Sequence, residues 1–185
     1  MVLLKTWLGR LNASLPLSLH LVAVFLAGLG FAVAWQVAVG TYEDMNTEVT
    51  QIQLQFSFGA EDLRQLYATM NLGEYAHSQK VDFLIVIGIA VLGGVAGSFA
   101  VRVAAMDSRA MILGLWSIVF ALICAAFDGA EDLLSFVTLS DVQGFPDWIA
   151  LFYSTLAALK AVFLVLWVLA FWGSLAATVY RRFQA

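Results

Sequence analysis

Long, uniformly apolar runs alternate along this chain with short polar connections. Four runs dominate, at about 15–39, 81–105, 110–137 and 148–180. Each reaches or exceeds the roughly 20 apolar residues that a helix needs to cross the hydrocarbon of a bilayer. The runs are continuous rather than alternating, which argues against transmembrane β-strands. The last is longer than the hydrocarbon requires and predicts tilt or protrusion. One connection, 41–80, is long enough to fold on its own account. The pattern predicts an all-α membrane protein, a four-transmembrane-helix bundle. It forms a single membrane domain over 1–185, with a small extracytoplasmic cap at 41–80 between helices one and two.

Inside that connection the period changes. Ile52, Leu54, Phe56 and Phe58 alternate with Gln51, Gln53, Gln55 and Ser57, the period of a half-buried strand. Leu63, Leu66, Tyr67 and Met70 then recur at helical spacing, with Ser57 or Gly59 placed to cap a helix over 59–70. The expectation is a short strand followed by a short helix, both on the outer face of the bundle. No second strand is apparent, so the first would need a covering helix or a strand from another chain.

Composition agrees with the membrane reading. The chain is 62% hydrophobic with a mean hydropathy of +0.90, against about 45–50% apolar residues in soluble domains. A net charge of −4 without a basic tract excludes a nucleic-acid partner. Cys124 is the sole cysteine and cannot form an intrachain disulfide. Lys5 and Arg10 ahead of an apolar run, with Ala32-Val33-Ala34 after it, imitate a cleavable leader. The run is longer than a leader's apolar region and reads as a retained first span.

Basic residues give an orientation. Lys5, Arg10, Arg102, Arg109, Arg181 and Arg182 sort to one side of a four-span chain, and Arg64 and Lys80 to the other. The positive-inside rule then predicts a multi-pass protein of the inner (cytoplasmic) membrane with both termini cytoplasmic. Trp35, Tyr42, Trp148 and Tyr153 suit one interfacial belt, and Trp7 and Tyr180 the other. Ala90, Gly93, Gly94, Gly97 and Ala100 make a small-residue stripe on the second span. Gly93-x-x-x-Gly97 in that stripe predicts close helix approach, inside the bundle or at a face shared with a second copy.

Candidate chemistry is concentrated where the third run ends. Asp128, Glu131 and Asp132 stand at i, i+3 and i+4 and share one helical face. At a rise of about 1.5 Å per residue, Asp128 lies roughly 28 Å above Arg109, Lys160 roughly 31 Å from Arg181, and Asp82 roughly 30 Å from Arg102. Three helices therefore bring ionisable groups to one level near the outer boundary of the hydrocarbon. Lys160 is expected within salt-bridge reach of Asp128 or Glu131, with Tyr153 and His77 as added hydrogen-bonding groups. Asp132 is expected to be the most solvated of the acids. Like charges repel, so the cluster calls for a cation, a proton or a positive partner. It could equally be an ion-pair knot that holds the helices, or the wet end of a span.

Other chemistry is poorly supported. No His pair stands at zinc spacing, so no metal ligand set is read, and no nucleophile motif or P-loop occurs. His20 reads as a packing residue. Nothing calls for a cofactor, although His20 or Met106 are the residue types that could ligate haem.

Taken in order, these features resemble a recurrent kind of uncharacterised bacterial four-span protein. In that kind an outer strand and helix lead into a span beginning Asp-Phe-Leu. The third span ends in Asp-x-x-Glu-Asn and the fourth carries a lysine. Asp82-Phe83-Leu84, Asp128-Gly-Ala-Glu131-Asp132 and Lys160 match it over about 51–170. Asp132 departs from the expected asparagine and adds an acid. The resemblance implies that Asp82, Asp128, Glu131 and Lys160 belong together, and it brings no activity.

The leading expectation is an integral membrane binding or transport-related protein. Its outer-side pocket of Asp82, Asp128, Glu131, Asp132, Lys160 and Tyr153 would take a cation, a proton or a polar lipid headgroup. A non-catalytic accessory subunit of a larger membrane complex is the alternative. A lipid-modifying enzyme is the third reading and the weakest, since no catalytic residue is evident. The expected partners are the lipid bilayer and a membrane protein or a second copy of this chain.

Overall fold

The computed structural model describes Thr6 and residues 16–45, 47–106 and 108–184. Lys5, Trp7 and Arg10, used in the orientation and belt arguments, lie outside the described residues, as does Leu15 at the start of the first run. Six helices run end to end among the described residues. They are α1 (Leu17–Glu43), α2 (Gln51–Gln55), α3 (Ala60–Tyr67), α4 (Leu72–Val103), α5 (Arg109–Ser140) and α6 (Asp147–Gln184). Four of them, α1, α4, α5 and α6, are long and apolar enough to cross a membrane, which suggests a multi-pass membrane protein.

The expected strand at 51–58 does not form, and the described residues contain no strand. A helical turn takes its place because it satisfies the backbone locally, where a lone strand cannot. The Thr50 N–H donates to Gln53 Oε1 at 2.7 Å, and the Gln53 N–H donates to Thr50 Oγ1 at 3.2 Å, a reciprocal capping box. The alternating pattern then acquires a different meaning. Gln51 and Gln55 share one helical face, Leu54 and Gln55 are buried, and Ile52 is exposed. The chain leaves this turn through Phe58 at φ 54°, a region that side-chain-bearing residues seldom enter. The Phe58 N–H is held there by buried Ser154 Oγ at 3.0 Å. Gly59 caps α3 without a side-chain bond. The stretch ahead of the second apolar run is helical from Leu72, so His77 and Lys80 sit exposed on α4 rather than in a loop.

The chain divides into two compact units. One comprises Met1–Gly30, Gly88–Ile123 and Phe163–Ala185; the other comprises Phe31–Ile87 and Cys124–Val162. The first is packed through small residues. A Cβ on Gly93 would overlap the Ala121 methyl, and one on Gly97 would meet Ile118 Cγ1 and lie 2.7 Å from Ser117 Oγ. Backbones this close gain dispersion contacts that lipid tails cannot supply. Ser174 Oγ donates to the Ala110 carbonyl at 2.7 Å, tying α6 to the start of α5. His20 is buried, with Nε2 2.8 Å from Ser98 Oγ and its ring edge-on to Phe99.

The second unit has a mixed core. Leu54, Leu63, Tyr67, Tyr75, Phe145, Ala150 and Tyr153 pack together with under 4% exposure each. The Arg64 guanidinium donates to the Phe145 carbonyl at 2.6 Å and lies over the Phe145 ring at 5.0 Å, so α3 is fastened to the α5–α6 connection. Tyr67 donates to or accepts from Thr138 Oγ1 at 2.8 Å. Burial pushes the Tyr67 phenol up to about 12, which keeps it a neutral structural group.

A buried acid–lysine cluster

The second unit holds every buried carboxylate among the described residues: Asp82, Asp128, Glu131 and Asp132. Each reaches the cluster for a local reason. Asp128, Glu131 and Asp132 occupy one face of α5 through their i, i+3, i+4 spacing. Asp82 stands on α4 with Gln79 three residues before it. Lys160 comes from α6, where Ala157 and Leu156 pack in the core beside it. Gly129 faces α4 without crowding, since a Cβ there would make ordinary contact 3.5 Å from Val86 Cγ1.

Lys160 Nζ lies 2.7 Å from Asp128 Oδ1 and 2.5 Å from Glu131 Oε2. Both are charge-assisted contacts, the first at the short end of the usual range of about 2.7–2.9 Å and the second shorter still. Gln55 of α2 is a hydrogen-bond partner of Glu131, and Gln51 of Asp82. Asp132 is different. It is fully buried, its side chain pairs with the Asp82 carboxyl, and no N–H or hydroxyl donor meets either of its oxygens. Instead, oxygens of Asp82, Asp128 and Asp132 lie within 4.8 Å of one another. Carboxylates gathered this closely repel one another when all are ionised, and a cation or a proton among them relieves that repulsion. The expectation that Asp132 is the most solvated acid is therefore overturned. The helix continues eight residues beyond it, to Ser140, and α2 and α3 pack in the same unit, so position 132 is not a wet helix end.

Counted as ionised groups, four carboxylates face one ammonium, a formal excess of three negative charges. Removing such groups from water costs several kcal/mol per ion unless each is compensated. Lys160 compensates Asp128 and Glu131 and leaves Asp82 and Asp132 without a positive partner within salt-bridge distance.

Tyr153 belongs to the aromatic core rather than to the carboxylates. Its hydroxyl is 3.3 Å from the Tyr75 hydroxyl, and it is 1% exposed. His77 is exposed. Cys124 Sγ donates to the Lys160 carbonyl at 3.4 Å, which ties the α5 backbone to α6 beside the lysine.

Sequence reading missed the amides. Gln51 and Gln55 read as the polar face of a strand, yet they meet Asp82 and Glu131. The usable signal was Thr50-x-x-Gln53, a capping box that places Gln51 and Gln55 on one helical face. Gln51, Ser78, Gln79 and Asp82, with Trp35, Ala38, Val39, Tyr42 and Ile85, line a cavity of about 40 Å³. Gln79 is 2% exposed and its Oε1 has no hydrogen-bond donor.

Compared with known proteins, the chain matches no family model, no curated sequence and no solved structure. The resemblance to bacterial four-span proteins thus rests on its motif residues alone.

Proposed function

We propose that this protein is an inner-membrane binding protein, of a kind related to transport, whose acid–lysine pocket takes up a small positive species. The observation that carries the reading is Asp132: fully buried, without an N–H or hydroxyl donor, and facing two further carboxylates. A knot of ion pairs serving only to hold helices would match its charges. This cluster holds more acid groups than its one lysine can match, and the lysine pairs with Asp128 and Glu131 rather than with Asp82 or Asp132. In the proposed orientation both termini are cytoplasmic. The 41–80 segment, with α2 and α3, then forms an extracytoplasmic cap over a pocket that opens outward. That orientation rests on the distribution of basic residues.

The test is ligand-dependent stability. A species that binds only the folded protein stabilises it by RT ln(1 + [L]/Kd). Thermal unfolding of the purified protein in detergent, scanned over Li⁺, Na⁺, K⁺, Mg²⁺, Ca²⁺, Mn²⁺ and pH, should show a concentration-dependent rise in Tm for at least one of these. Asp132→Asn should abolish the dependence, while Glu74→Gln, at an exposed acid on α4, should retain it. Wild-type protein indifferent to every cation and to acid would leave the cluster a structural element and sink the reading.

A further inference from the structure

We infer that the pocket is a site for a hard divalent cation, held by Asp82, Asp128 and Asp132 with Gln79 as an amide-oxygen ligand. The inference deepens the preceding proposal and rests on it. Three independent observations select this ligand class.

Donor chemistry comes first. The groups that converge are carboxylate oxygens within 4.8 Å of one another. Neither a histidine nor a cysteine sulfur shares that group, because Cys124 Sγ is engaged with the Lys160 carbonyl. All-oxygen sets suit Ca²⁺, Mn²⁺ or Mg²⁺ rather than zinc or copper.

Charge comes second. The formal excess of three negative charges around Lys160 falls to two with a monovalent ion and to one with a divalent ion. In a weakly screening interior the larger compensation is favoured. Lys160 would keep Glu131 and one oxygen of Asp128. That division leaves Asp82 and Asp132, together with the remaining Asp128 oxygen, turned to the ion.

Size and an orphaned amide come third. The cavity beside Asp82 has a volume of about 40 Å³. It has room for a small ion or a water molecule, each water needing at least about 10–15 Å³ of such space. A lipid headgroup does not fit. Gln79 lines that cavity together with Asp82, and its Oε1 is buried and without a donor. A buried amide oxygen left unsatisfied costs about 1–3 kcal/mol, and a cation ligated there removes that cost. This amide lies outside the acid cluster and points to the same kind of ligand. Gln51, the partner of Asp82, lines the cavity as well and orients that carboxylate in the way outer-sphere groups orient metal ligands.

Terbium luminescence provides the test, because Trp35 and Tyr42 line the cavity and would sensitise Tb³⁺ bound there. The full-length protein in detergent should give saturable Tb³⁺ emission that Ca²⁺ or Mn²⁺ displaces and equal ionic strength of Na⁺ does not. Asp132→Asn should weaken Tb³⁺ binding by at least ~100-fold. Gln79→Leu, which keeps every carboxylate and removes one ligand, should weaken it by at least ~10-fold, no less than outer-shell changes cost at metal sites. Glu74→Gln should leave it unchanged, and circular dichroism establishes that each variant is folded. Should Asp132→Asn misfold, Gln79→Leu decides the matter. Emission that is absent, that Ca²⁺ and Mn²⁺ fail to displace, or that both Asp132→Asn and Gln79→Leu retain in full overturns the divalent site. In that event stabilisation by acid or by a monovalent ion would still uphold the broader binding reading, and its absence would end both.

Discussion

The two units of this chain solve the same problem with different chemistry. Helices in a bilayer gain little from hydrophobic burial, because lipid tails are as apolar as leucine. In the unit built on Gly93, Gly97 and Gly114, the solution is shape. Backbones approach until a single added methyl would collide with Ala121, with Ile118 or with the Val101 backbone. Its buried polar groups are hydroxyls and a histidine that bond to nearby carbonyls or to one another. In the unit built around Lys160 the solution is charge. Carboxylates from α4 and α5 and an ammonium from α6 meet, at a desolvation cost that van der Waals packing does not carry. The first arrangement leaves single ring or guanidinium nitrogens of His20, Arg102 and Trp167 unpartnered, whereas the second leaves carboxylate oxygens so. Close approach of small residues accounts for the first unit, whereas the second gathers four carboxyl groups around one ammonium, more acid groups than packing requires.

The sharpest way to break this contrast is to remove the lysine. Lys160→Met leaves Asp128 and Glu131 buried without their cation, and stability should fall by about 3–5 kcal/mol. The double variant Lys160→Met/Glu131→Gln should recover part of that loss, as measured by equilibrium unfolding in detergent. Strictly additive losses would mean that the pair is not coupled. In the other unit, Gly93→Ala introduces a methyl where Ala121 already stands, and overpacking of that kind costs about 1–3 kcal/mol. Here no second substitution of a charge should rescue the variant, while Ala121→Gly should. The smallest effect is expected at the edge of the acid unit. Thr50→Ala removes the cap of α2 and should cost about 1 kcal/mol. Because α2 carries Gln51 and Gln55, the same change should weaken cation-dependent stabilisation. If Tm falls and cation dependence is untouched, α2 has no part in organising the site.

Much of the fold was legible in the chain itself. The four long helices follow from apolar runs that nothing else in water or lipid can accommodate, and the i, i+3, i+4 spacing alone places Asp128, Glu131 and Asp132 on one face. Rise per residue brought Lys160 and Asp82 to the same level, because a helix converts sequence separation into distance almost without other information. Gly93 and Gly97 announced close approach by lacking a side chain. Where tertiary contacts decide, the sequence was silent or misleading. Residues 51–58 carry the period of a strand, and the structure makes a capped helical turn, because the stretch has no strand partner and Thr50 and Gln53 satisfy its first donors. Asp132 reads as the solvated end of a span, yet it is buried, because the helix runs on to Ser140 in the unit where α2 and α3 pack. The partnership of Gln51 with Asp82 and of Gln55 with Glu131, and the convergence of Gln79 on the same cavity, depend on chain segments many residues apart. A linear pattern records which side chains share a face of one helix. Which faces meet, and therefore which charges go uncompensated, is fixed only when separate helices pack.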